Sequence, residues 1–90
     1  MRNLTPKNLV RHELIGLKAE VSFSTNRSSI GLKGIVVDET KNMIVLDDGK
    51  KERKIPKSEA CFCFELHDSL IEIDGKLLIG RPEDRIKKRF

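Results

Sequence analysis

Two cysteines spaced two apart, Cys61 and Cys63, and two histidines, His12 and His67, are the side chains here that could hold a metal or act as a nucleophile. A zinc site needs four such ligands, usually as two spaced pairs, and the single CxC supplies only one pair. A cysteine nucleophile needs a histidine held against it in a cleft, and nothing in the pattern brings one there. On a strand both thiols point the same way without disulfide geometry, so free thiols are expected. The adjacent carboxylates Asp38 with Glu39, and Asp47 with Asp48, would be aimed to opposite sides of a strand, which reads as turn and rim groups rather than an acid–base pair. Neither GxxxxGK[ST] nor GxGxxG occurs. No catalytic residue, metal ligand or cofactor is assigned.

What remains is charge. The net charge is +4, distributed unevenly. Residues 1–18 hold four basic groups and one acid, residues 49–59 five and two, residues 81–90 five and two; residues 60–75 hold four acids and no Lys or Arg. Basic zones of this kind read either as a polyanion-binding face or as solvated surface with chance clustering. The tail "GRPEDRIKKRF" is written as a helix: Pro82 suits the first helical position, acids sit near the positive end and bases near the negative end. On such a helix Arg81, Arg85, Lys88 and Arg89 share one face, and Ile86 and Phe90 another. A helix shorter than about 12–15 residues is marginal alone, so something outside it must order it.

The elements that must position these groups follow from periodicity. "LTPKNLVRHELIG" predicts an N-terminal helix, with Thr5 as cap, Leu4 stapled to Leu9, and Gly16 ending it. "LKAEVSF" alternates, placing Leu17, Ala19, Val21 and Phe23 inward. "STNRSS" is a loop, and "IGLKGIVVDE" a second strand in which Gly31 and Gly34 permit a bend or bulge. Lys41-Asn42 turns into "MIVLDD", and Asp48-Gly49 signals a hairpin before "KKERKIP". "ACFCFEL" points Ala60, Phe62, Phe64 and Leu66 inward, and Asp74-Gly75 turns "LIEI" into "KLLIG". The expected fold is mainly all-β: a small, strongly bent antiparallel barrel of about six strands with short terminal helices, closure hiding its edges. A split α+β sandwich is the alternative. Residues 1–90 form one domain: helix 1–16, barrel 17–80, basic helix 81–90. No apolar run of about 18 residues and no signal-peptide core occur, so no membrane partner and a cytoplasmic location are expected.

A 90-residue domain has little room for a catalytic pocket, which favours a binding module. Single-strand readers stack bases on exposed aromatics, yet Trp and Tyr are absent and Phe23, Phe62 and Phe64 fit core positions. Lys and Arg without such a platform suit folded RNA, held through phosphates and 2′-hydroxyls.

"HELIGLKAEV", "STNRSSIGLKGIVVDET", "NMIVLDDGKKERKIPK", "FCFEL" and "LLIGRPEDRIKKR" together resemble the Pop-four family, the Sm-like barrel subunit of archaeal and eukaryotic ribonuclease P, over about residues 8–89. The resemblance implies a non-catalytic, RNA-binding subunit of the enzyme that removes the 5′ leader from precursor tRNA. It also implies an Sm-like barrel, and as partners the ribonuclease P RNA, a zinc-ribbon protein subunit and other ribonuclease P proteins, with precursor tRNA met indirectly and magnesium belonging to the RNA. Within that reading, Asn26, Arg27, Ser28 and Lys33, with Arg81, Arg85, Lys88 and Arg89, are the candidate RNA contacts. Leu4, Leu9, Val10, Ile86 and Phe90 are the candidates for protein contact, against the alternative that the N-terminal residues plug the barrel. The isolated chain is expected to be a monomer. The competing readings are another structured-RNA-binding barrel, such as a ribosome-associated module, and a self-assembling Sm-type ring.

Overall fold

In the computed structural model, which describes residues 13–81, alternation of apolar and polar residues is realised as six antiparallel strands. These are β1 (Lys18–Ser24), β2 (Lys33–Glu39), β3 (Met43–Asp47), β4 (Glu52–Pro56), β5 (Ala60–Leu66) and β6 (Ser69–Asp74). Three single 3-10 turns join them: η1 (Arg27–Ser29), η2 (Lys57–Glu59) and η3 (Gly75–Leu78). The strands form one sheet in the order β4-β3-β2-β1-β5-β6. Ile44 and Ile55 at one end of that order, and Ile71 and Ile73 at the other, share a single core with Val21, Val36, Leu46, Phe62, Phe64 and Leu78. A flat sheet cannot bring its first and last strands into one core, so this sheet curls on itself.

Two β-bulges produce the curl. In β1 the partner of Val21 is Phe62 and that of Phe23 is Cys61, so Ser22 is an extra residue. In β2 the partner of Val36 is Leu46 and that of Asp38 is Val45, so Val37 is extra. Each insertion reverses which side of the strand faces inward. After Val21 the next buried residue of β1 is Ser24, not Phe23, and after Val36 the next of β2 is Glu39. Phe23 therefore stands 55% exposed, against the expectation that it belongs to the core. Neither bulge falls at the anticipated glycines: Gly31 turns with φ +87°, and Gly34 lies against the Asp47 carbonyl.

The bent antiparallel architecture matches expectation, with corrections in detail. Among the described residues no ladder joins β4 to β6, so the sheet is bent rather than closed; η2 and η3 occupy the gap, with Gly75 against the carbonyl oxygens of Lys57 and Ala60. Asp74-Gly75 does not turn into a further strand, because Asp74 caps η3 by accepting from the Lys76 amide. The tight hairpin turn lies instead at His67-Asp68, both with positive φ, between the paired Leu66 and Ser69. Two such residues make a type I′ turn, which histidine and aspartate tolerate better than most. Leu66 is only half-buried. Residues 13–16 are not helical: Leu14 is buried in the core, and the Leu17 amide donates to its carbonyl across a turn. The rest of the expected N-terminal helix, and the C-terminal helix from Pro82, lie outside the described residues.

Gly75 is the residue whose replacement should expose this closure. A Cβ there would collide with two backbone carbonyls that cannot rotate away. Gly75→Ala is expected to destabilise the fold by about 1–3 kcal/mol, measured by urea unfolding; an unchanged midpoint would mean η2 and η3 do not seal the gap.

Candidate nucleic-acid interface

The loop after β1 is built by its own short polar side chains. Asn26 Oδ1 accepts from the Ser28 amide at 3.2 Å and from Ser28 Oγ at 2.8 Å, capping η1, while Ser24 Oγ accepts from the Asn26 amide at 3.1 Å. The Thr25 amide donates to the Glu59 carbonyl at 2.9 Å, which ties the loop to the end of η2. The Gly31 amide returns to Val21 O at 2.8 Å. Asn26, Arg27 and Ser28 are thus exposed on a pinned loop. Much of the hydrogen bonding of Asn26 and Ser28 is spent on its shape, so Arg27 carries the charge a phosphate would meet.

The other end of η2 holds a second basic group. Lys57 is wholly buried, its ammonium 2.8 Å from Glu39 Oε2, 2.7 Å from Thr40 O, 3.3 Å from Lys41 O and 3.1 Å from Gly80 O. Gly80 in turn donates its amide to Lys41 O at 2.8 Å and has φ +128°, a conformation reserved for glycine. Arg81, exposed, follows directly. The structure therefore brings loop 25–28 and the start of the basic tail to the two ends of one three-residue turn.

Lys33 does not join them. It faces Glu20 across the β1–β2 ladder and shares a hollow with Lys18, Glu20, Glu65 and Leu70, where two lysines and two carboxylates balance. Glu39 is not a rim group: the Val37 bulge turns it inward to Lys57. Lys57 itself, counted among the basic zone of residues 49–59, is structural, and no spacing rule distinguishes it from its solvated neighbours. The turn role of Asp47 and Asp48 holds, since Asp47 Oδ1 accepts from the Gly49 amide and Asp48 Oδ1 from the amides of Lys50 and Lys51. Arg85, Lys88, Arg89, Ile86 and Phe90, like Leu4, Leu9 and Val10, lie outside the described residues.

Cys61 and Cys63 are free, half-buried thiols on β5. Burial, then the carboxylates of Asp74 and Glu72, push the Cys61 thiol up; burial, then Glu72 and Glu20, do the same to Cys63. Neither is a poised thiolate. Among the described residues no group of three or more His, Cys, Asp or Glu side chains could hold a metal ion.

This arrangement, a bent six-stranded sheet with a pinned loop and a basic tail, has relatives. A family model described as Ribonuclease P/MRP, subunit p29, matches residues 7–88. The chain belongs to the p29 family. Ribonuclease P protein component 1 of Methanosphaera stadtmanae is 52% identical over 88 residues, spanning 97% of this chain and 95% of that protein. The same-named protein of Methanocaldococcus jannaschii is 52% identical over 89 residues, spanning 97% and 93%. Among solved structures, Mth11, a homologue of human RNase P protein Rpp29, superposes with a TM-score of 0.61 at 44% identity, covering 83% of this chain and 99% of that one. The mainly β fold of this p29 member is thus shared with a solved relative.

Two outcomes follow for the p29 chain. Lys57→Met should destabilise the fold by about 3–5 kcal/mol in urea unfolding, because it strands the buried Glu39 carboxylate, whereas Lys57→Met with Glu39→Met should recover much of that loss. Equal loss in single and double variants would remove the ion pair from the account. Amide donors from Lys51 and Lys50, then Arg53, lower the Asp48 pKa from 3.8 to about 2. A depressed carboxylate stabilises the folded state above its unfolded pKa and loses that contribution as pH falls towards the folded one. The difference in melting temperature between the parent and Asp48→Ala should therefore persist at pH 5–7, shrink below about pH 4 and lose its charge-dependent part only as pH falls through about 2.

Proposed function

We propose that the chain is a non-catalytic RNA-binding subunit of ribonuclease P that supports the catalytic RNA in removing the 5′ leader from precursor tRNA. The observation that supports this reading is that Arg27 stands exposed on a loop pinned by Asn26 and Ser24 and tied through Thr25 to Glu59, while Arg81 follows a glycine held by buried Lys57 at the start of the same turn. Phosphate groups are bound well by guanidinium groups whose backbone is already fixed, since little ordering entropy is then lost. Arg85, Lys88 and Arg89 would extend the same basic track along the tail. In this reading Ile86 and Phe90, with Leu4, Leu9 and Val10, meet protein, the zinc-ribbon subunit among the partners. The isolated chain is a cytoplasmic monomer, and magnesium belongs to the RNA.

The relatives named ribonuclease P protein component 1 support the assignment to that enzyme. The accessory role rests on chemistry: the described thiols sit among carboxylates that oppose ionisation, and the paired carboxylates are spent on turns or on Lys57.

Salt dependence tests the contact directly. Each phosphate neutralised releases counterions, so affinity falls by roughly 0.7–0.9 log units per log unit of salt for each contact. Arg27→Glu with Arg81→Glu, and separately Arg85→Glu with Lys88→Glu, should each weaken binding to ribonuclease P RNA and flatten the slope by about one to two, with the melting temperature held within a few degrees. Unchanged affinity and slope in both pairs would sink the basic track as the RNA site. Cleavage of precursor tRNA by the purified chain alone would overturn the accessory role.

A further inference from the structure

The outer side of β1, β5 and β6 carries two of the exposed large apolar side chains, Phe23 and Leu70. Cross-strand pairing sets Phe23 beside Cys61 and Asp74, then Glu20 beside Cys63 and Glu72, then Lys18 beside Glu65 and Leu70. Phe23 and Leu70 are 55% and 73% exposed, and the two half-buried cysteines lie between them. The result is an apolar diagonal across three strands, bordered by the carboxylates of Glu20, Glu65, Glu72 and Asp74, with Lys18, Lys33 and Lys76 between them. Each end of the diagonal opens into a shallow hollow: about 120 Å³ beside Phe23, lined also by Thr25, Ser58 and Cys61, and about 270 Å³ beside Leu70. Two large apolar side chains left in water on one face, with space beside each, mark a surface built to be covered.

We propose that this face docks a protein segment bearing two large apolar side chains flanked by Lys or Arg. The border selects the occupant: with Glu59 it sets five carboxylates against Lys18, Lys33 and Lys76, so a polyanion meets a net negative face and a basic segment gains complementary charge around the apolar contact. Phe23 supplies the rigid aromatic anchor, Leu70 the second, and the small thiols between them let a partner backbone approach the sheet. The proposal rests on the chain's being one of several proteins on a shared RNA, and it adds a protein contact on the sheet to those assigned to the terminal segments.

The two thiols are built-in reporters. The full chain is treated with iodoacetamide at pH 8.5 and alkylation of Cys61 and Cys63 is followed by mass spectrometry in three settings: alone, with each recombinant ribonuclease P protein subunit added without RNA, and with ribonuclease P RNA alone. With one of the proteins at about ten times its dissociation constant, both rates should fall roughly tenfold. Leu70→Lys, and separately Glu65→Lys with Glu72→Lys, should return those rates to the free-chain value while leaving RNA affinity and its salt slope unchanged. No protection by any protein subunit overturns the proposal. Protection by RNA alone assigns the face to RNA, and protection that grows with chain concentration assigns it to a second copy; either overturns it too. RNA affinity is read independently of the thiols, so loss of RNA binding by the parent chain would fault the functional reading and not this face.

Discussion

A buried ammonium and carboxylate, Lys57 with Glu39, is the constraint on which the rest of the molecule depends. Removing two charges from water costs several kcal/mol per ion, and mutual attraction repays it only when further hydrogen bonds complete the site. Thr40, Lys41 and Gly80 supply those bonds through backbone carbonyls. Because the acceptors come from the β2–β3 turn and from the chain just beyond η3, Lys57 joins three segments distant in sequence at the one place where the sheet does not close by a ladder. An apolar plug could fill the same volume. It could not fix the direction in which the chain leaves at Gly80, from which Arg81 follows.

Much of this architecture was legible in the sequence, because period-two alternation marks strands whatever surrounds them. The six strands, the Lys41-Asn42 and Asp48-Gly49 turns and the inward set Ala60, Phe62 and Phe64 came from local pattern alone. The failures share a cause. A bulge inserts one residue into a strand, and from there on every inward position is displaced by one. Ser22 as the extra residue moved Phe23 out to water; Val37 as the extra residue moved Glu39 into the core. Neither residue type announces a bulge, and the glycines that do announce one serve other ends. The candidate site was legible only as composition: a basic loop and a basic tail could be read, but not that Lys33 shares a charge-balanced hollow with Lys18, Glu20 and Glu65 or that Lys57 is spent on structure.

The same two bulges that bend the sheet therefore also decide its chemistry. Were Val37 paired regularly instead of bulged, Asp38 rather than Glu39 would point inward and Lys57 would lack its partner. Were Ser22 paired regularly, Phe23 would enter the core and the outer face would lose its aromatic anchor. Curvature, the ion pair and the exposed phenylalanine are consequences of two inserted residues, so a variant that straightened either strand would change all three together.

Charge segregation completes the division of labour. From Cys61 to Glu65 is four residues of β5, about 13–14 Å of strand. That exceeds the Debye length of about 8 Å at physiological ionic strength. The carboxylates around Leu70 are thus largely screened from Arg27 at the loop end, and a polyanion approaching that end does not sense them strongly. At low salt the screening length grows to about 30 Å at 0.01 M, comparable with the 34 × 27 × 20 Å extent of the described residues, and the fields of the two regions overlap. Selective placement on a polyanion then requires moderate salt, the condition under which basic loop and acidic sheet act as separate surfaces.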